Sequence, residues 1–200
     1  MDVAHSLRKY SIEEYIQLEQ ETDTKYEYYD GEVFAMAGGT LNHSEISGNI
    51  FSDLKNILES KNSSCRTFNS DAKLSISKRN KYVYPDTMVV YGDVELSSRY
   101  KEAITNSILI IEVLSGFTAA YDRGNKFKSY RSIPSLQEYI LIEQDKSQVD
   151  ISTRKGDFWR FHSIEGLEKT LVLTSIDVEI PLSRIYRNVS FDAVFEEQIK

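Results

Sequence analysis

The chain has 200 residues and a formal charge of −7 at neutral pH. This charge counts against a protein that coats DNA non-specifically, because that mode requires an excess of Lys and Arg facing phosphates. Hydrophobic residues make up 40% of the chain, enough for a globular core, and no apolar run reaches the ~18 residues of a membrane span. We therefore expect one domain over residues 1–200 in the reducing cytoplasm, where the lone Cys65 stays unpaired.

The first predicted elements are a helix, a hairpin and a second helix. A capping-box sequence at Ser11 predicts a short helix that runs to about Glu19. The Asp30-Gly31 pair, between two aromatic-rich stretches, is the strongest two-residue signal for a hairpin turn. A longer helix is predicted over residues 42–60, where hydrophobic side chains recur at helical spacing.

Strands dominate the predicted middle of the chain. Short strands at 65–69 and 72–77 precede a basic turn, and Pro85-Asp86 leads into a strand that ends near Tyr91. The run Ile108–Ser115 is almost wholly apolar, which is typical of a strand that helices cover on both faces.

The remaining elements complete an α/β pattern. A helix over 121–132 ends before Pro134, and a buried strand over 139–142 follows it. A hairpin joins 149–153 to 158–162, and a short helix lies near 183–186. This order predicts an α/β fold with one mixed sheet flanked by helices on both faces, preceded by the N-terminal helix and hairpin.

Two carboxylates belong to the predicted central strands. Glu112 lies inside the apolar run 108–115, where an ionised side chain costs roughly several kcal/mol unless a cation holds it. Asp86 stands at the start of another apolar strand. Mg²⁺ or Mn²⁺ prefers oxygen ligands, so Asp86 and Glu112 are candidate ligands, and the backbone carbonyl of Val113 is a third. Such a site suits phosphodiester hydrolysis.

Asp122 and Lys126 are four residues apart on the helix that follows, so they share one helix face. One interpretation is an exposed ion pair worth about 0.3–0.5 kcal/mol. The other places Lys126 beside the metal ligands, where it orients the attacking water or helps to deprotonate it. The second is favoured because this helix begins where the Glu112 strand ends, which is where open α/β sheets bind ligands.

Two basic segments are candidates for contact with nucleic acid. The first is the turn that contains Lys78, Arg79 and Lys81, and the second is the helix that carries Arg123 and Lys128. The alternative interpretation is a solvated turn and a solvated helix face without a partner.

The motifs in this order resemble the Uma2 family, a branch of the PD-(D/E)XK nuclease superfamily. The similarity extends roughly from Ser11 to His162. The segments that carry it are Tyr26-Glu27-Tyr28-Tyr29-Asp30-Gly31-Glu32, His43, Pro85-Asp86, Glu112-Val113-Leu114-Ser115, Asp122-Arg123-Gly124-Asn125-Lys126 and Ile133-Pro134-Ser135-Leu136-Gln137-Glu138-Tyr139.

The resemblance implies a restriction-endonuclease-like fold and assigns roles to particular residues. It implies that Asp86 and Glu112 bind the metal and that Glu27 is a further acidic residue of the site. In the superfamily the lysine stands two residues after the second acid, a position that Leu114 occupies here. The Uma2 pattern places this lysine on the next helix, which indicates Lys126.

Two further residues have open roles. His43 matches a family position, where it contacts the substrate or a metal-bound water, or is a helix-start residue bonded to the backbone. Glu27 is the additional acid, or a strand residue that faces solvent. Lys73 and Lys128 are the less favoured candidates for the catalytic lysine.

The sequence therefore predicts a Mg²⁺-dependent endonuclease that cuts DNA and has no membrane association. A duplex cutter needs two active sites or sequential nicks, so a homodimer is an accompanying hypothesis. One alternative is a nucleic-acid-binding or scaffold protein that keeps the nuclease fold without catalysis. Another is an acid/base hydrolase such as a glycosidase that uses Asp86 and Glu112 as its carboxyl pair.

Overall fold

The computed structural model describes residues 8–22, 24–36, 38–115 and 119–191. The helical segments are α1 (Ile12–Thr22), α2 (Leu41–Ser60), a 3-10 turn (Ser77–Arg79), α3 (Ala119–Tyr121), a π-helical turn (Asp122–Lys126), α4 (Phe127–Tyr130) and α5 (Leu182–Ile185). The strands are β1 (Tyr26–Tyr29), β2 (Glu32–Ala35), β3 (Cys65–Asn69), β4 (Lys73–Ile76), β5 (Lys81–Val83), β6 (Thr87–Tyr91), β7 (Ala103–Ile104), β8 (Ser107–Leu114), β9 (Glu138–Glu143), β10 (Gln148–Lys155), β11 (Phe158–Glu165), β12 (Thr170–Leu173) and β13 (Val178–Pro181). Across the described ranges, every helix is too short or too polar to span a bilayer.

The strands form two mixed sheets and a separate hairpin. The larger sheet has the order β11-β10-β9-β8-β6-β3, the smaller sheet has the order β2-β1-β5-β4-β7, and β12 pairs with β13. Strands β8 and β9 run parallel, and the connection between them contains α3, the π-helical turn and α4. The predicted α/β fold class, a mixed core sheet flanked by helices, is confirmed, and the division of the strands into two sheets was not predicted.

The two faces of the larger sheet have separate hydrophobic cores. Helix α2 packs on one face, against the odd-numbered residues 109–113 of β8. Ile110 and Leu114 of β8 belong to the core of the opposite face, together with Tyr130 of α4. Because side chains alternate along a strand, Glu112 lies on the same face as Ile110 and Leu114, under the helical crossover.

The capping box at Ser11 and the Asp30-Gly31 turn form in the structure where the sequence predicts them. The backbone N–H of Glu14 donates to Ser11 Oγ at 3.1 Å, and the N–H of Ser11 donates to Glu14 Oε2 at 2.9 Å. These reciprocal bonds are the capping box at the start of α1. Asp30 and Gly31 have φ angles of 48° and 97°, which a two-residue hairpin turn of the favoured type requires at both positions.

One predicted helix differs from the structure, and one hairpin of the structure was not predicted. The helix expected over 121–132 begins at Ala119 and ends at Tyr130, and its central turn is π-helical. The hairpin of β12 and β13 was not predicted from the sequence. Each of its strands has four residues, and the connection between them contains Asp177, which has a φ of 52°. Because an aspartate takes the left-handed position here, the glycine that normally signals such a turn is absent from the sequence.

Candidate metal centre and active site

Asp86 and Glu112 meet at the junction of β6 and β8. Thr87, the first residue of β6, pairs with Ile111 of β8 in an antiparallel register, so Asp86 falls opposite Glu112. The backbone N–H of Val113 donates a hydrogen bond to Asp86 Oδ2 at 2.7 Å. The Asp86 side chain is 15% exposed and that of Glu112 is 4% exposed, so Glu112 is buried and Asp86 keeps limited contact with solvent.

The helical crossover brings Lys126 and Asp122 to the same point. Lys126 Nζ lies 2.9 Å from Glu112 Oε1 and 3.4 Å from Asp122 Oδ1. Tyr130, one turn further along, donates its hydroxyl to Glu112 Oε1 at 2.6 Å. The side chains of Asp122 and Lys126 are only 4% and 13% exposed, so the exposed-ion-pair interpretation of this pair is wrong.

The charges of this cluster do not cancel. The carboxylates of Glu112 and Asp122 lie against the single ammonium of Lys126, and a third carboxylate, that of Asp86, acts on Glu112 through its charge. Burial raises the pKa of Glu112 to about 8, and the neighbouring charges of Asp86 and Asp122 add to this effect, while Lys126 opposes it. Burial is the largest effect on Lys126 and disfavours its charge, but Glu112, Tyr130, Glu27 and Asp122 together outweigh burial and hold the pKa of Lys126 well above its usual value.

His43 borders the cluster from the first turn of α2. Thr40 caps this helix, and its hydroxyl accepts the backbone N–H of His43 at 3.1 Å. The imidazole reaches across to Asp86, with Nε2 3.3 Å from Oδ2. The hydrogen bond with Asp86 raises the pKa of His43 against the opposing effect of burial. His43 is therefore both a helix-start residue bonded to its cap and a side chain of the cluster.

Glu27 approaches from the smaller sheet. It lies on β1, is half-buried, and accepts a hydrogen bond from the Tyr29 hydroxyl. The Tyr29 ring lies 6.1 Å from that of Tyr121, and the charge of Glu27 acts on both Lys126 and Tyr130. The interpretation of Glu27 as a strand residue that simply faces solvent is therefore wrong.

The basic residues of the sequence have different surroundings. Lys78, Arg79 and Lys128 are exposed, whereas Lys81 is half-buried with its ammonium 4.5 Å from the centre of the Tyr29 ring. Arg123 pairs with Glu143 and with Asp150, the latter at 3.1 Å. The charge of Arg123 is therefore already balanced by carboxylates of the larger sheet.

Lys73, the alternative candidate for the catalytic lysine, has partners of its own. Its ammonium pairs with Glu19 of α1 and lies 3.8 Å from the centre of the Tyr100 ring. The rings of Tyr15 and Tyr84 complete this cage at 4.7 and 5.3 Å. Through the ion pair with Glu19, Lys73 of β4 joins α1 to the smaller sheet.

A family model described as Uma2, putative restriction endonuclease, matches residues 12–183. The chain belongs to the Uma2 family. It is 36% identical to the uncharacterized protein slr1290 of Synechocystis sp. over 194 aligned residues. The alignment covers 94% of this chain and 100% of that protein. It is also 38% identical over 144 residues to the uncharacterized protein sll1609 of the same organism, with 72% and 80% of the two chains covered.

A solved structure has the same fold as this Uma2 chain. It is a putative nuclease belonging to DUF820 from Anabaena variabilis, with a TM-score of 0.70 over 88% of this chain and 97% of that chain. The two sequences are 15% identical, so this likeness establishes the fold and nothing about individual side chains. The resemblance drawn from the sequence motifs is thereby confirmed for family and fold.

The donor set of the Uma2 cluster fits a hard divalent cation. Among the described residues, no three His, Cys, Asp or Glu side chains are grouped closely enough to form a complete metal cage. Mg²⁺ is commonly held by one or two carboxylates and several waters, so Asp86 and Glu112 suffice. Asp122 Oδ1 is buried and, apart from its 3.4 Å ion-pair contact with Lys126, accepts no hydrogen bond from the described residues, and the surplus of carboxylates favours a cation.

Tyr130 and Tyr29 contact the acids of the cluster but were not predicted as site residues from the sequence. Tyr130 lies four residues after Lys126, a spacing that places both on one helix face toward Glu112. Tyr29 is two residues from Glu27 on β1, so the two side chains share a face of the strand. These spacings are signals in the sequence, but they indicate the site only once Glu112 and Glu27 are known to belong to it.

Proposed function

We propose that this Uma2 protein is an endonuclease that depends on Mg²⁺ or Mn²⁺ and hydrolyses phosphodiester bonds of DNA. The observation that supports it best is the Lys126 ammonium, 2.9 Å from Glu112 at the end of β8 and beside Asp86. A pair of acids for a metal and an adjacent cation for the phosphate is what this hydrolysis requires. The family description of the chain agrees with such a reaction.

In this proposal Asp86, Glu112 and the backbone carbonyl of Val113 hold the metal. When bound, a divalent cation offsets charge on the phosphoryl oxygens and makes water a better nucleophile. The hydrogen bond from the Val113 N–H and the contact with His43 both fall on Asp86 Oδ2, so Oδ1 is the oxygen of this carboxylate that would be available to a metal. Glu27 adds negative charge from β1 at the edge of the site.

The role of Lys126 is electrostatic. Because its pKa is held well above the usual value, its ammonium stays protonated at neutral pH and is not the group that takes the proton of water. Glu112 and Asp122 fix its position before substrate arrives, so no reorganisation is needed when charge develops on the phosphate. We therefore assign Lys126 to orienting water and stabilising the transition state.

The DNA strand is proposed to lie in an open cleft of about 520 Å³ beside Asp86. His43, Ser44, Ser47 and Ser70 line it, and these groups are suited to hydrogen bonds with phosphate oxygens. The exposed cations Lys78, Arg79 and Lys128, with the half-buried Lys81, supply candidate contacts to flanking phosphates. Arg123 is a weaker candidate because of its carboxylate partners.

Cleavage of supercoiled plasmid tests the proposed function. Purified protein with Mg²⁺ or Mn²⁺ is expected to convert the plasmid to nicked and linear forms, and a chelator is expected to abolish this. Asp86→Asn is expected to lose cleavage while the fold, followed by circular dichroism, persists. A wild-type protein that binds DNA but never cuts it with either metal supports the rival function, a nuclease-fold binding or scaffold protein.

We propose that the assembly that cuts both strands is a homodimer. Each chain of it is a single domain, and the protein acts in the cytoplasm. Each copy carries one set of the acidic and lysine residues, so one chain cuts one strand at a time. Sedimentation of the protein with and without DNA measures this directly. A protein that remains monomeric on DNA and yet linearises plasmid in one binding event contradicts the dimer.

A further inference from the structure

The backbone of Gly39 lies so close to the imidazole of His43 that no residue with a side chain would fit at position 39 without displacing the ring. A Cβ atom added at Gly39 would lie 2.8 Å from His43 Nδ1, 2.9 Å from Cγ and 3.2 Å from Cβ. Real Cβ atoms essentially never approach heavy atoms within 3.0 Å, so a side chain here must displace the ring. Gly38, one residue earlier, has no heavy atom within 4 Å of the same added Cβ. The steric demand for glycine is therefore confined to position 39 and directed at one side chain.

The ring has little freedom to move away. Its backbone is fixed by the Thr40 cap at the start of α2. Ser47, one turn along the helix, places Oγ 3.5 Å from Nδ1. On the far side of the ring, Nε2 lies 3.3 Å from Asp86 Oδ2. A push on the Nδ1 edge is therefore transmitted toward Asp86.

Asp86 is the point at which such a displacement reaches the proposed chemistry. The same Oδ2 accepts the Val113 N–H at 2.7 Å, and the carboxylate stands opposite Glu112. The Val113 N–H and His43 Nε2 thus both contact the same oxygen, and two contacts on one oxygen restrict the rotation of the carboxylate and so the direction of Oδ1. Catalysis is sensitive to displacements of about 1 Å in groups that hold reacting atoms.

We propose that Gly39 and His43 are positioning residues of the nuclease site. The missing side chain of Gly39 lets the His43 imidazole lie close to the backbone of residue 39, from where it orients the Asp86 carboxylate for the metal. This inference rests on the proposed function, since the orientation matters only if Asp86 is a ligand. Neither residue touches the reacting atoms in this proposal, so their effect passes through Asp86.

Gly39→Ala with Gly38→Ala as the matched control tests the inference. Gly39→Ala is expected to shift the His43 imidazole ¹⁵N resonances of the metal-free protein, to weaken Mn²⁺ binding about 5-fold or more, and to slow plasmid cleavage at least about 10-fold. Gly38→Ala is expected to leave the resonances in place and to stay within about twofold on both other measurements. Circular dichroism and thermal unfolding establish that both variants fold.

A double-mutant cycle separates a positioning role from a general structural one. His43→Ala removes the ring that the new methyl group would displace, so Gly39→Ala should have almost no further effect on Mn²⁺ affinity in that background. Equal effects of Gly39→Ala with and without His43 overturn the inference, as does a Gly39→Ala protein with wild-type resonances and affinity. A wild-type protein that neither binds Mn²⁺ nor cuts DNA overturns the proposed function itself.

Discussion

Lys126 is held in place by two carboxylates, and Lys128, two residues later on the same helical segment, is exposed. We expect Lys126→Ala to lower the rate of plasmid cleavage at least about 100-fold, because a fixed cation beside the phosphate stabilises the transition state. Mn²⁺ affinity should not fall, since a cation is not a ligand. Cleavage rates at saturating metal, with calorimetric titration of Mn²⁺, measure both effects.

Lys128→Ala is the matched control for that variant. It removes the same charge from an exposed position, so it should weaken DNA binding mildly and more at low salt than at high salt. Equal rates for Lys126→Ala and wild type would show that the cluster of Lys126, Glu112 and Asp122 is a structural ion-pair network.

At Glu112, function and stability are expected to oppose each other. Its pKa is raised to about 8, above the unfolded value, so folding favours the neutral carboxyl. The stability that this neutral form contributes is present below the unfolded pKa and is lost as the pH rises through about 8. Glu112→Gln mimics the neutral form, so in metal-free buffer its thermal midpoint should exceed that of wild type, increasingly as the pH approaches 8, while cleavage is lost.

Glu138 of β9 provides the contrasting control. It is equally buried, but its two carboxylate oxygens accept four hydrogen bonds from Thr174 and Ser175. Glu138→Gln replaces an acceptor with a donor and should destabilise the fold. If Glu112→Gln is destabilised as much as Glu138→Gln at alkaline pH, the surplus of negative charge around Glu112 is not the dominant effect.

The elements of the fold differ in how far their sequences specify them. The capping box at Ser11 and the Asp30-Gly31 turn are local signals, and both elements form where expected. The π-helical turn Asp122–Lys126 has no such signal, because an i→i+5 bond depends on how the crossover packs over β8. The site was still partly predictable, since a lone Glu inside the run 108–115 requires a nearby cation.

Helix α1 depends on a buried ion pair that the sequence did not reveal. Glu19 and Lys73 pair with side-chain exposures of 9% and 5%, and Glu19 also accepts the Tyr84 hydroxyl at 2.8 Å. Lys73→Ala leaves this carboxylate buried without its cation, so we expect a loss of about 3–5 kcal/mol in unfolding free energy. Denaturant unfolding measures this loss, and the remaining folded protein should cut DNA at the wild-type rate per molecule.

The exposed ion pair of Lys25 with Asp71 is the control for the buried pair of Lys73 with Glu19. Its side chains are 42% and 73% exposed, so Lys25→Ala should reduce stability by less than about 1 kcal/mol. A folded Lys73→Ala protein that has lost cleavage, beside an active Lys126→Ala protein, would reassign the catalytic lysine to Lys73.

The candidate site exists only in the folded chain as a whole. Glu27 comes from β1, His43 from α2, Asp86 and Glu112 from neighbouring strands, and Lys126 from the crossover helix. No local spacing in the sequence brings these five together. The predicted strands and the helix after them indicated Asp86, Glu112 and Lys126, whereas Glu27 and His43 were indicated only by the resemblance to the family. Because the acids repel one another, the fold carries unfavourable charge that a cation, if bound as proposed, would offset.

The stability of the whole molecule should therefore respond to metal and pH together. Binding of Mn²⁺ to the folded state alone raises the unfolding free energy by about 2.7 kcal/mol at a concentration 100 times Kd. A ligand carboxylate must be ionised, and the pKa of Glu112 is about 8, so this gain should grow from about pH 6 to about pH 8. Thermal unfolding with and without Mn²⁺ at each pH measures it. Asp53→Asn, which alters a buried acid paired with Arg184, should keep the gain, whereas Glu112→Gln should lose it. A gain that is independent of pH, or one that persists in Glu112→Gln, places the metal elsewhere on the protein.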